Sequence, residues 1–225
     1  MPDRALILVA HGTASERGRR VVIDLVEAVR RRRPELDVTD AYVDVQEPRV
    51  ADVVAELAPR FDEVVVVPLL FCGGYHVRVD VAKAVDAWPN ARSTGALGPS
   101  RLVAQLLARR LDDAGVRPGD AVVMAAAGST RPEAAADARA QGRLLAEVRG
   151  GPVDVAYGSA GTPAVPDAVS ANRDRPGARV AVASLLLGEG HFFDKLRRSG
   201  ADVVTEPLGA APEVVEQVLR RLDEP

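Results

Sequence analysis

The 225-residue chain has one cysteine, Cys72, which excludes an internal disulfide framework and any multi-cysteine zinc or iron–sulfur site. A reducing, cytoplasmic setting is the expectation from that usage. Aromatic residues make up only 4% of the chain and there are three histidines, so few side chains are available for nucleophilic, acid–base or metal chemistry. No apolar run approaches the ~18–20 residues of a membrane span, and Ala5–Ala10 is too short for a secretory h-region. Positive charge is not in excess: the formal net charge is -3, which argues against a nucleic-acid face. The G-x-S-x-G elbow, the P-loop and His-Glu-x-x-His are all absent, and Gly188-Glu189-Gly190 lacks the third glycine of a dinucleotide fingerprint. His11-Gly12 follows Ala10, where a phosphohistidine mutase would have arginine.

What is present is a chain that is 47% hydrophobic and 27% charged, long enough to bury a sizeable core. Short Val/Leu/Ala runs alternate with stretches of helical period. Strands are expected at Ala5–Ala10, Val38–Val43, Glu63–Leu70 and Arg92–Ala96. Helices are expected at Glu16–Arg33, Arg49–Ala58, Val77–Trp88 and Pro99–Ala114. Continuous apolar strands alternating with helices predict an α/β fold with parallel sheets covered on both faces. The run Arg30–Arg33 ends a helix, where cations complement the macrodipole, and reads as surface.

After the turn-rich segment Gly115–Asp120 the pattern starts again. Ala121–Ala126 repeats Ala5–Ala10, Gly128-Ser129 repeats Gly12-Thr13, and Tyr157 with Pro163 repeats Tyr42 with Pro48. Ser184–Leu187 repeats Pro68–Phe71. The chain therefore reads as an internal duplication of two similar parallel-sheet βα halves, 1–117 and 118–225, facing a central cleft. Ligands of such sheets sit beyond the carboxyl ends of the strands.

His11, His76 and His191 each follow a predicted strand. A pair of imidazoles across a cleft can hold a divalent first-row metal or accept protons near neutral pH. Cys72 reads as a small buried thiol; a cysteine nucleophile needs a base and an orienting group that the sequence does not identify.

Leu6–Thr13, with its strand and His-Gly-Thr turn, resembles the opening signature of the class II chelatases. Pro68–Asp80, a Pro-Leu-hydrophobic strand followed by a glycine-led histidine and an acidic residue, resembles their second signature. Tyr42-Val43-Asp44 before Pro48 resembles the strand between them. The resemblance covers essentially the whole chain and lies closest to the sirohydrochlorin cobalto- and ferrochelatases, which insert Co²⁺ or Fe²⁺ into sirohydrochlorin on the way to cobalamin or sirohaem. It implies a lyase-type chelatase with His11 and His76 as catalytic and metal-binding residues, and His191 as an additional metal-ligand candidate. Asp44 stands where the family often has glutamate. Gly12, Thr13, Gly74, Tyr75, Arg78 and Asp44 are the implied substrate-binding residues, and Arg17, Arg49, Arg101 and Arg131 are further candidates for pairing with substrate carboxylates. The implied partners are sirohydrochlorin or a related tetrapyrrole and a divalent metal as substrate. No permanently bound cofactor, nucleic acid or membrane is expected, and the chain is expected to be a monomer or homodimer. Nickel insertion, and a non-catalytic metal or tetrapyrrole carrier on the same fold, are the alternatives. Ala127 stands where His11 would repeat, which assigns catalysis to the first half.

Overall fold

A computed structural model of the chain describes residues 3–173 and 179–224; the side chains of His76 and Arg78 lie outside that description. Strands β1 (Arg4–Ala10), β2 (Asp37–Tyr42), β3 (Glu63–Pro68) and β4 (Ala91–Ser93) form a parallel sheet in the order β2-β1-β3-β4. Strands β5 (Ala121–Ala126), β6 (Asp154–Tyr157), β7 (Val180–Leu185) and β8 (Val203–Val204) form a second parallel sheet in the equivalent order β6-β5-β7-β8. In each sheet the order reverses between the first and third strands, β1/β3 and β5/β7. That switch point is where a crevice opens beyond the strand ends.

Helices α1 (Glu16–Arg32), α2 (Val50–Leu57), α3 (Ala82–Asp86) and α4 (Arg101–Asp113) accompany the first sheet in sequence. The second is accompanied by α5 (Pro132–Arg149), α6 (Val165–Arg173), α7 (His191–Arg197) and α8 (Pro212–Asp223). Local chemistry explains the ends of α1. The Ser15 hydroxyl accepts the Gly18 N–H as an N-cap, Glu16 sits in the positive first turn, and Arg30–Arg32 fill the negative last turn before Pro34. The expected helix Val77–Trp88 is instead a π-helical segment, His76–Val81, running into α3. The expected strand Glu63–Leu70 ends at Pro68, although the Leu69 N–H still bonds to the Val9 carbonyl at 2.7 Å.

Side chains alternate across β1 with period two. Ala5, Ile7 and Val9 face an outer core with α2 and α3, whereas Leu6, Leu8 and Ala10 face an inner core. That inner core is continuous, joining Leu6, Leu8, Leu107 and Leu111 to Met124, Leu145, Val218 and Leu222. The last helix of each half crosses to the other: α4 packs on β7 and on α5, and α8 packs on β3 and on α1. The turn between α4 and β5 falls at 114–120, but the last helices of the two halves, α4 and α8, are exchanged. Polar side chains pin this exchange. Gln141, fully buried on α5, accepts the Ser100 N–H at 2.7 Å and donates to the Ser100 carbonyl at 3.1 Å, while the Ser100 hydroxyl donates to Gln217 on α8 at 2.8 Å. A buried amide is tolerated because its groups are paired.

Candidate active site

β1 delivers His11 to the switch point, half-buried, at the carboxyl end of the strand. The next residue, Gly12, has φ +95, and a Cβ there would lie 2.2 Å from the Asp44 carbonyl oxygen. Only glycine fits that turn, because L residues resist the left-handed region and the loop after β2 lies directly against it. The loop clamps the turn from outside: the Val43 N–H bonds to the Ala10 carbonyl at 3.1 Å, and the Asp44 N–H to the His11 carbonyl at 3.0 Å. The His11 Nδ1 lies 3.3 Å from the Gly12 carbonyl oxygen. That contact favours the tautomer with its proton on Nδ1 and its lone pair on Nε2, the form that binds a metal or accepts a proton.

A cleft of about 710 Å³ opens beside His11. Gly12, Thr13 and Ser15 line it from the first half, with Leu69–Phe71; Ala127, Leu185–Leu187 and Gly188–Asp194 line it from the second. His191 lies on this wall, so His11 and His191 border one cleft. A smaller cavity of about 320 Å³ adjoins it through His11, Phe71, Ala127 and Phe192, and is bordered by Gly74 and Tyr75. Each half lays a loop over the other's first helix. A Cβ on Gly18 would come within 2.4 Å of the Glu189 carbonyl, and the Arg17 guanidinium meets the Glu189 carboxylate at 3.2 Å. Reciprocally, Gly73 donates its N–H to Asp137 at 2.8 Å.

The strand registers give the correspondence between halves. Val9 pairs with Pro68 and Ala125 with Ser184, so the loops after β3 and β7 start in step. His11 then corresponds to Ala127, Tyr75 to His191, and His76 to Phe192. The second half therefore carries no imidazole at either position of the pair His11 and His76. The backbone of the turn survives there: Gly128 has φ +93, and its Cβ would lie 2.3 Å from the Ala160 carbonyl.

Other sequence-predicted residues are placed as follows. Gly12, Thr13, Gly74 and Tyr75 line the two cavities. Tyr75, half exposed, lies under the Arg131 guanidinium, 5.6 Å from its ring centroid. Asp44 stands exposed on the loop after β2, next to Val45 and Gln46, which line the larger cavity. The reason is the backbone. Val45 has φ 61, an unusual value for a β-branched residue, and the chain folds back so that Asp44 accepts the Val45 N–H at 2.8 Å and faces Arg49 at 3.9 Å. Arg49 is also held by Glu47, and Arg101 faces Glu147 on the surface. The backbone of His76 begins the π-helical segment after the β3 loop; its side chain and that of Arg78 lie outside the described residues. Among the described residues, no cluster of three His, Cys, Asp or Glu side chains is placed to hold a metal ion. No described helix is long and apolar enough to cross a membrane.

Cys72 borders the smaller cavity. Burial, then the nearby Asp137 carboxylate, pushes its thiol up to about 12, so it is protonated across the neutral range. Iodoacetamide alkylation at pH 8 is expected to run roughly a thousandfold slower than that of a free thiol, in line with the suppressed thiolate fraction. Alkylation at the rate of glutathione would contradict this placement.

The sequence reading missed Gln46, Phe192 and the Arg131–Tyr75 contact. Gln46 carries no spacing signal, and the other two become visible only when the halves are placed face to face.

The model of the CbiX family matches residues 5–114 and 121–225. A sirohydrochlorin cobaltochelatase of Sulfolobus acidocaldarius is 32% identical over 86 residues, covering 38% of this chain and 68% of that protein. SirB from Bacillus subtilis with Fe³⁺ superposes with a TM-score of 0.81 at 18% identity, covering 98% of this chain and 94% of that one. The sirohydrochlorin chelatase SirB from Bacillus subtilis subspecies spizizenii, in complex with cobalt, gives 0.78 at 17% identity, with 97% and 93% covered. At these identities the superpositions establish a common fold of two similar halves. Because the family model takes in both halves and leaves out only the turn between them and the first residues, the chain belongs to the CbiX family.

Proposed function

We propose that this chain is a metal chelatase that inserts a divalent metal, Fe²⁺ or Co²⁺, into sirohydrochlorin. The observation that carries the reading is His11, held by a glycine turn at the switch point of the first sheet and facing a cleft between two halves. Relatives in the same family, and of the same fold, bear the name sirohydrochlorin chelatase.

The chemistry suits these residues. A free tetrapyrrole must lose its pyrrole N–H protons as the metal enters, and a neutral imidazole is a competent acceptor for them. His76, from the resemblance, completes the pair. Binding of the substrate metal must be labile, which favours few protein ligands and an open coordination sphere. His191 borders the cleft opposite His11 and is assigned a secondary role, because it corresponds to Tyr75 and not to either member of the pair. The walls are largely apolar, as a flat macrocycle requires. Cations at the rim can pair with the peripheral carboxylates: Arg131 beside Tyr75, Arg17 beside Glu189, and Arg78 from the resemblance.

The test is an anaerobic absorbance assay. Purified protein is mixed with sirohydrochlorin and Fe²⁺, Co²⁺ or Ni²⁺, beside metal-only controls. Spectral conversion faster than the controls is the expected result, and the relative rates rank the metals. Tetrapyrrole binding without a rate gain would make the chain a carrier and overturn the proposal.

A further inference from the structure

Around His11 the two halves differ in one more respect than the loss of the histidine. In the first half the loop after β2 reaches over the His11–Thr13 turn and carries Gln46. The Gln46 side-chain oxygen accepts the Thr13 N–H at 2.8 Å. The Tyr42 hydroxyl, on the strand that leads into this loop, donates to Asp40 at 2.7 Å. Gln46 itself is half-buried and lines the cleft. One side chain thus ties the turn carrying His11 to the loop after β2.

The second half retains the frame and lacks the tie. The Tyr42 N–H bonds to the Pro48 carbonyl at 2.9 Å, and the Tyr157 N–H bonds to the Pro163 carbonyl at 3.0 Å, so the two loops are equally long, although the residue with positive φ is Val45 in the first and Gly161 in the second. Gly161 stands in the place of Gln46 and has no side chain to reach the Ala127–Ser129 turn. There the Ser159 hydroxyl bonds to the Ala127 carbonyl at 2.7 Å, where in the first half the Asp44 N–H bonds to the His11 carbonyl. Fold maintenance alone is satisfied by the simpler arrangement. The amide tie occurs in the half that has kept its histidine.

We propose that Gln46 is a positioning residue for metal insertion: through the Thr13 N–H it fixes the His11–Thr13 turn, and with it the direction of the His11 imidazole into the cleft. The inference rests on the chelatase reading. It requires that the bond from the Thr13 N–H to Gln46 be worth more in the reaction than in folding, since partners that orient a metal-binding histidine carry much of its reactivity.

The test compares Gln46→Leu, which removes the acceptor, with Gln46→Glu, whose carboxylate can accept the same N–H. In the anaerobic assay Gln46→Leu is expected to lower kcat about 10–100-fold. Its KM for the tetrapyrrole should stay within about twofold of the wild type, because the residue is asked to orient and not to grip. Gln46→Glu is expected to restore most of kcat. Co²⁺ affinity measured without tetrapyrrole should fall with Gln46→Leu and recover with Gln46→Glu. Wild-type kcat in Gln46→Leu, or equal damage in both variants, overturns the inference. Should the wild type itself insert no metal, the chelatase reading fails, and Co²⁺ affinity decides the inference alone: equal affinity in the wild type and Gln46→Leu would end it.

Discussion

His11→Ala is expected to lower the rate of metal insertion by about 10²–10⁴-fold, the range that a positioned acid–base group contributes. The loss should be in kcat, because the cleft that receives the tetrapyrrole is built mainly of apolar side chains that the substitution does not touch. His191→Ala is the control within the same cleft. It corresponds to Tyr75 by strand register, so it should retain most of the rate. Equal losses in both variants would mean that the second half shares the chemistry and that the correspondence between the halves has been misread. The experiment also separates proton transfer from packing. His11 is half-buried at a strand end, outside both sheet cores, so its removal should leave the melting temperature close to that of the wild type.

Gly12→Ala is expected to damage both stability and activity. The φ of +95 costs an L residue about 1–3 kcal/mol. The new Cβ would in addition meet the Asp44 carbonyl at 2.2 Å, and that atom belongs to a backbone that cannot step aside without breaking the bonds to Ala10 and His11. The total should be at least about 3 kcal/mol, a fall of about 6–12 °C in melting temperature for a chain of this size. Gly128→Ala meets the same conflict in the second half, with φ +93 and a 2.3 Å approach to the Ala160 carbonyl, and should lower the melting temperature similarly. The two differ in activity. Displacing the turn at Gly12 moves His11, so Gly12→Ala should lose rate per folded molecule well beyond Gly128→Ala, whose neighbour is Ala127. Melting unchanged in Gly12→Ala would show that the loop after β2 yields, and would remove the argument that this contact aims the histidine.

The strands were the most legible part of the chain because parallel strands buried on both faces are continuous apolar runs, and Ala5–Ala10 and Ala121–Ala126 read that way without ambiguity. The duplication was legible because turn chemistry repeats: glycine after the first strand, proline six residues after the tyrosine. The π-helical start of the Val77–Trp88 segment was not, since Val77, Val81 and Val85 lie on one face in either winding. The exchange of α4 and α8 was also hidden. The apolar stripe of α4, with Val103, Leu106, Leu107 and Leu111, says that a sheet covers it and not which sheet.

Within the site, His11 and the glycine turn were legible as strand-end chemistry. The direction of the Asp44 side chain was not, because it depends on the left-handed conformation of Val45, which no sequence pattern signals for a β-branched residue. Gln46 belongs to the same class. Its acceptor role follows from a loop that crosses β1, and such a contact is fixed by tertiary geometry alone.

One labile metal site, made by the first half, is proposed to serve a cleft closed by the second. Anaerobic titration of the whole chain with Co²⁺, followed by ligand-field absorbance and equilibrium dialysis, tests it most directly in the wild type and in a His11→Ala/His76→Ala double variant. A single Co²⁺ per chain is expected in the wild type, and that binding is expected to be lost in the double variant. A second Co²⁺ per chain, or binding that survives removal of both histidines, would contradict it.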